Sequence, residues 1–257
     1  MAPGIDDTNW WLMPGHVTLH EPFATALTGA VAYLHDRYQS IGIVASGTII
    51  RGTAHATSDL DIVAVHEQAW RQRTQRFFND VPAEMFVNPV FQIRRQMTKD
   101  AEAGRPVMAH MLATGVIVHD PTGIAATLQA EARDNLDAGP TVSDEWLLLR
   151  RYGIATNLED AVDLRDVDPD RARTLVVESL VEAVKWHFLN QGRWLPRSKA
   201  LLADLDALDP DLGQAVRDAL REPDLDRQLE LAAPIVQRVV GHTGFFAWES
   251  TPQQLEP

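Results

Sequence analysis

The chain has 257 residues, a formal charge of −13 and no cysteine. Its length suits one large domain or two small ones, and the absence of cysteine excludes disulfides, thiolate metal sites and cysteine nucleophiles. The acidic composition disfavours a nucleic-acid partner, which would need basic surface. The sequence has no apolar run of 18 residues and no signal-like start, so we expect a cytoplasmic protein without a membrane partner.

The first half of the chain mixes helical and strand-like patterns. Apolar residues at helical spacing predict a helix over 21–38, and Pro22 suits its first turn. A second helix is predicted over 97–114, with a break near 104–106. Short apolar or β-branched segments predict four strands, over 41–46, 60–65, 84–93 and 116–119.

The second half of the chain has helical periodicity throughout. Helices are predicted over 124–135, 143–167, 169–191, 198–208, 211–220 and 224–240, with breaks at the Asp168-Pro169 and Asp209-Pro210 pairs. The pair Gly139-Pro140 predicts a domain boundary. We therefore expect an α+β fold, in which a domain with a small mixed β-sheet and flanking helices (1–138) precedes an all-α helical bundle (139–257).

Two aromatic segments lie near the chain ends, NWWL at 9–12 and FFAWES at 245–250. Such residues most often pack in a core or between domains. Residues 136–257 also hold 22 acidic and 13 basic side chains. This excess of acid would attract a cationic small molecule, although acidity of this kind also serves solubility alone.

The segment SDLDIVAV carries two carboxylates at the start of a predicted strand. Alternation along a strand places Asp59 and Asp61 on one face, opposite Leu60 and Ile62. Adjacent carboxylates repel each other, and oxygen ligands without sulfur suit Mg²⁺. The pair therefore indicates a metal site, while a solvated strand edge remains the simpler alternative.

A glycine-containing loop precedes these carboxylates. Gly47 and Gly52 flank a turn in which backbone N–H groups can approach an anion. Thr48 adds a hydroxyl donor and Arg51 adds a guanidinium, which binds phosphate well. Together with the carboxylates, these residues indicate a metal-nucleotide site, although a glycine loop alone is a weak signal.

The pattern Gly47-Thr48, ten further residues, then Asp59-Leu60-Asp61 resembles the signature of the DNA-polymerase-β-like nucleotidyltransferase superfamily. That signature has a Gly-Ser or Gly-Gly pair, a spacer of variable length and an acidic pair flanked by apolar residues. The GTIIRG loop and the chain length are similar to those of bacterial aminoglycoside nucleotidyltransferases, which join this domain to a C-terminal helical domain. Thr48 departs from the usual serine, but it keeps the hydroxyl and the N–H group.

The resemblance implies a third carboxylate on a neighbouring strand. Glu84 in VPAEMFVNPV is the candidate, and Asp80 in the turn-like NDVP is the fallback. By this resemblance Asp59, Asp61 and Glu84 form the catalytic set and hold Mg²⁺, as two ions. The proton acceptor is then Glu84 or a carboxylate of the helical domain.

The resemblance also implies an activity. The protein would move a nucleoside monophosphate, expected to be AMP from ATP, to a hydroxyl of a small molecule, with release of pyrophosphate. An aminoglycoside-like, cationic antibiotic is the expected acceptor. The alternatives are a transferase that modifies a protein or RNA partner, as some antitoxins do, and a nucleotide-binding module without catalysis. The oligomeric state stays open.

Residues of the helical half supply the remaining candidates. The chain has only three lysines, and Lys199 lies in the first turn of a predicted helix, where it suits a triphosphate. Lys185 is the second nucleotide-binding candidate. Glu178, Glu182 and Lys185 share one helical face, either as a surface ion-pair ladder or, for the two glutamates, as contacts to a cationic acceptor.

Overall fold

The structure is a computed structural model that describes residues 19–252 and residue 254. The chain divides into two compact units. The first contains the described residues through Ala101 together with Pro106–Ala138, and the second contains Glu102–Arg105 and the described residues from Gly139 onward. The aromatic segment at 9–12 lies outside the described residues. Within the described part of the chain, no helix is long and apolar enough to cross a membrane.

A five-stranded mixed sheet forms the centre of the first unit. Its strands are β1 (Gly42–Ser46), β2 (Leu60–His66), β3 (Gln72–Phe78), β4 (Val81–Pro89) and β5 (Val116–His119). Their order across the sheet is β3-β4-β2-β1-β5. Strands β2 and β4 are parallel, and the other neighbouring pairs are antiparallel.

Helices cover both faces of this sheet. They are α1 (Phe23–Tyr38), the single turn α2 (Gly47–Ile50), α3 (Val90–Glu102), α4 (Val107–Thr114) and α5 (Ile124–Ala138). Leu60 and Ile62 of β2 pack in a core with residues of α1, whereas Val63 and Val65 pack in a second core with residues of α3, α4 and α5. Since β2 is buried on both sides, a polar side chain in it can reach solvent only near the strand's end.

Strand β3 is absent from the sequence prediction. Its residues QRTQRFF are mostly exposed, so they lack the apolar alternation by which strands are recognised. Asn79 and Asp80 connect β3 to β4, and both have positive φ, 46° and 61°, as tight hairpin turns require. The fallback residue Asp80 therefore lies at the tip of a hairpin.

The predicted strand over 84–93 is wrong at its C-terminal end. Strand β4 ends at Pro89, and α3 begins at Val90. Val90, Ile93 and Met97 recur at helical spacing, and this period decides the structure of the short apolar run. The predicted break in the next helix is confirmed, because Gly104 (φ 70°) lies between α3 and α4.

The second unit is helical, as predicted. It contains α6 (Asp144–Leu164), α7 (Pro169–Asn190), a 3₁₀ turn (Ser198–Ala200), α8 (Leu201–Leu208), α9 (Pro210–Arg221) and α10 (Leu225–Val240). Four of these helices begin with a side chain that accepts a hydrogen bond from a first-turn N–H group. The capping residues are Ser143, Asp168, Asp209 and Asp224. Asp168 and Asp209 thus cap the helices whose first residue is the following proline.

His66 at the end of β2 is 1% exposed. Its ring stacks on Trp70 with 4.1 Å between centroids, and its Nδ1 accepts a hydrogen bond of 3.0 Å from the Gln68 N–H group. Among the described residues its Nε2 has no hydrogen-bond partner. Burial lowers the pKa of His66, because protonation would leave a charge inside the protein.

We therefore expect His66 to make folding dependent on pH. Below about pH 6.5 the unfolded chain protonates this ring before the folded chain does, so stability falls as pH falls. In His66→Asn the Oδ1 atom can still accept from Gln68, but the side chain cannot titrate. The free energy of unfolding, measured by urea denaturation between pH 7 and 5, should fall more steeply in the wild type, by at most about 1.4 kcal/mol per pH unit. A constant difference between the two proteins would contradict this assignment.

Candidate metal centre

Asp59, Asp61 and Glu84 converge at one point of the first unit. One carboxylate oxygen from each lies within 4.8 Å of the others, and all three side chains are half-buried. Asp59 immediately precedes β2, and Asp61 is the second residue of that strand. In the parallel pairing of β2 with β4, Asp61 is the register partner of Glu84. Side chains in register share a face of the sheet, so carboxylates 23 residues apart in sequence meet.

Gly47 allows the chain to turn directly beside Asp61. Its φ is 93°, and an added Cβ would lie 2.7 Å from Oδ2 of Asp61. The preceding residue, Ser46, is the register partner of Asp61 in the β1–β2 pair. Any other residue at 47 would strain the backbone and collide with the carboxylate. The sequence-predicted role of Gly47 in a turn thus has a steric reason.

Side-chain hydrogen bonds close the base of the loop between α2 and β2. The hydroxyls of Thr48 and Ser58 are 2.8 Å apart, and the His55 N–H group donates to the Ser58 hydroxyl at 2.8 Å. The Thr53 N–H group donates to the Thr48 carbonyl at 2.9 Å. The Thr48 hydroxyl, predicted to contact a nucleotide, therefore already bonds within the protein. Arg51 lies exposed on the same loop.

Two residues of β3 hold Glu84, and sequence reasoning missed both. Arg73 Nε and Gln75 Nε2 donate to the same oxygen, Oε1, the second across 3.3 Å. The guanidinium of Arg73 also lies 5.3 Å from the Phe86 ring centroid. Glu84 raises the pKa of Arg73, which keeps its positive charge beside the acidic group. The Asn-Asp turn after QRTQRFF was the available signal for this hairpin.

The other predicted residues lie in the second unit. Lys185 and Glu182 of α7 form an ion pair of 2.7 Å, one helical turn apart. Glu178 on the same helix is exposed, and so is Lys199 in the 3₁₀ turn. Of the predicted ion-pair ladder, the pair between Glu182 and Lys185 is present.

The three carboxylates fit a hard divalent cation. The donor set consists of oxygen atoms alone, which Mg²⁺ prefers. Because Gly47 has no Cβ, nothing at that residue collides with the Asp61 carboxylate. Arg73 offsets only part of the negative charge of the three groups. In the described part of the chain, no other group of three acidic or histidine side chains converges in this way.

Comparison with known proteins shows a similarity of fold. No family model matches the chain, and no curated protein matches it. A solved structure, the nucleotidyltransferase-like protein from Exiguobacterium sibiricum 255-15, is similar, with a TM-score of 0.54 over 84% of this chain and 73% of that chain. The chain has a nucleotidyltransferase-like fold. At 14% identity the likeness extends to the fold alone, so the narrower resemblance to aminoglycoside nucleotidyltransferases stays a prediction.

Substitution of Gly47 should damage this site through Asp61. In Gly47→Ala the new methyl group would displace the Asp61 carboxylate, which would weaken Mn²⁺ binding, measured by electron paramagnetic resonance, by about tenfold or more. The strained φ should also lower the free energy of unfolding by about 1–3 kcal/mol.

Gly52→Ala is the matched control. Gly52 also has a positive φ, 72°, but an added Cβ there has no atom within 4 Å. This variant should lose stability through the same backbone strain and keep its affinity for Mn²⁺. Equal loss of Mn²⁺ affinity in both variants would show that the collision with Asp61 does not matter.

Proposed function

We propose that the protein transfers a nucleoside monophosphate from a nucleoside triphosphate to a hydroxyl group of a small molecule. The observation that carries this proposal is the convergence of Asp59, Asp61 and Glu84 on adjacent strands of a nucleotidyltransferase-like fold. Carboxylates held this close repel one another, and a divalent cation bound between them would offset that repulsion. The parallel register and the requirement for glycine at 47 support a site shaped for that purpose.

Asp59 and Asp61 would hold Mg²⁺, with Glu84 completing the set, and we propose two ions. Bound there, Mg²⁺ would neutralise the triphosphate and activate the acceptor oxygen. The chain turn at Gly47 and Thr48, together with the exposed Arg51, is the proposed contact for the phosphates. We propose ATP as the donor.

The proposed transfer is a displacement at the α-phosphorus of the triphosphate. The acceptor oxygen forms a bond to this phosphorus while the bond to the bridging oxygen breaks, and pyrophosphate leaves with the electron pair. We propose Glu84 as the acceptor of the hydroxyl proton, with a carboxylate of the helical domain as the alternative; Arg73 and Gln75 both bond Oε1 of Glu84 and hold its carboxylate beside Asp61. A fixed carboxylate can accept a proton in a defined direction.

The charge of the second half of the chain bears on the class of acceptor. The excess of acid in the second half of the chain supports a cationic acceptor such as an aminoglycoside. Lys199 remains the proposed lysine contact to the phosphates, and Glu178 the proposed contact to a cationic acceptor. Lys185 and Glu182, the other two candidates, pair with each other at 2.7 Å.

The test is pyrophosphate release with labelled triphosphates and a panel of cationic, neutral and anionic alcohols. Wild-type protein should release pyrophosphate only with Mg²⁺ and a suitable acceptor. Asp61→Asn should lower kcat/KM by more than about 100-fold, because it removes a metal ligand rather than a residue behind one. The mass of the product identifies the acceptor, and a labelled protein or RNA band in lysate would point to a macromolecular one.

Asp80→Asn provides the matched control for this assay. It makes the same chemical change in the same unit, at the exposed tip of the β3–β4 hairpin. Its activity should equal that of the wild type. The proposed function fails if wild type and Asp61→Asn bind Mg-ATP equally and neither releases pyrophosphate with any acceptor.

A further inference from the structure

The helical unit contains a cleft of about 330 Å³ whose lining includes none of the three carboxylates. Its walls come from the segment Glu102–Arg105, from α6 and α7, and from the chain leading into α8. All of these residues belong to the second unit. The volume falls within the range of small-molecule sites, at its lower end.

One part of the cleft is apolar and aromatic. Trp146, Trp186, Leu189 and Leu195 contribute to its lining. The Trp186 indole N–H group donates to the Leu147 carbonyl at 2.9 Å, so the polar edge of this ring is already satisfied by the protein. The cleft can therefore pack a planar apolar group against fixed aromatic surface.

The charged part of the lining is basic. It contains Arg105, Arg150 and Lys185 but only one carboxylate, Glu182. Lys185 Nζ donates to one oxygen of Glu182 at 2.7 Å, and Arg150 donates to the other at 3.4 Å. The Arg150 guanidinium also lies 4.7 Å from the ring centroid of Trp146. Both oxygens of the one acid thus have cationic partners, and two positive charges are left over.

This local charge is opposite to that of the whole protein, whose formal charge is −13. Two of the chain's three lysines lie in or beside the cleft, since Lys185 lines it and Lys199 follows the lining residue Ser198. A cationic ligand would meet three cations and one carboxylate that is already paired. Like charges placed together in a recess oppose binding more strongly than a distant net charge favours it.

We propose that this cleft binds a ligand that combines a planar apolar ring with an anionic group. The ring packs against Trp146 and Trp186, and the anion pairs with Arg105 and Lys185.

The test uses two probes that share a ring and differ in charge, indole-3-propionate and tryptamine. Calorimetry on the full wild-type chain should show one site for indole-3-propionate and at least about tenfold weaker binding of tryptamine. Saturating Mg-ATP should leave indole-3-propionate bound. Equal affinity for the two probes, or displacement of indole-3-propionate by Mg-ATP, would overturn the proposal, and displacement would assign the cleft to the nucleotide.

Variants locate the binding. Lys185→Gln and Arg105→Gln should each lower the affinity for indole-3-propionate by about fivefold, the loss typical of one partly exposed charge. Glu182→Gln should strengthen it, because Lys185 and Arg150 lose their competing partner. Lys99→Gln removes the same charge from an exposed position on α3 outside the cleft and should change nothing. Equal effects of Lys185→Gln and Lys99→Gln would overturn the assignment.

This binding experiment is independent of turnover. Asp61→Asn, whose altered side chain lies in the first unit, should bind indole-3-propionate as the wild type does. If the probes discriminate as expected but no alcohol on the acceptor panel supports pyrophosphate release, the proposed function fails while the ligand class of the cleft stands.

Discussion

Repulsion among three carboxylates is the constraint around which the first unit is organised. One oxygen of each carboxylate lies within 4.8 Å of the others, and like charges this close repel, so the groups would separate if the chain allowed it. The buried strand β2 and its parallel partner β4 prevent that separation, because Asp61 and Glu84 are fixed in register. Arg73 lowers the remaining charge, and a bound cation would offset the rest. The strand order, the β2–β4 register and the glycine at position 47 together allow the three carboxylates to lie close to one another.

The sequence was sufficient for the parts of this site where composition and spacing agree. Strand β2 and its two aspartates were predicted because apolar runs and turn residues mark them clearly. Strand β3 was missed because an exposed edge strand buries little of either face, and with it Arg73 and Gln75 were missed. The predicted end of β4 was wrong because the short segment Val90–Ile93, apolar except for Gln92, fits a strand and a helix equally well. The partner of the Thr48 hydroxyl, Ser58, depends on loop geometry that no periodicity describes.

In the second unit, the local charge of the cleft could not be predicted from the sequence either. The total for residues 136–257 is a property of composition, and it predicts attraction of cations over a distance. The lining of the cleft depends on which side chains the helices bring together, and there the cations outnumber the acids. Lys185 and Glu182 were selected from helical spacing, which places them on one face. Spacing could not reveal Arg105 and Arg150, which reach the same recess from other segments.

The hydrogen bond between Thr48 and Ser58 has a consequence for how such chains diverge. It joins the two ends of the loop immediately before Asp59, so the loop's outer part is separated mechanically from the strand that follows. We therefore expect the loop tip to tolerate insertions and deletions without a shift of the aspartates, whereas insertion or deletion of one residue inside β2 would turn the side chains on one side of the change to the opposite face.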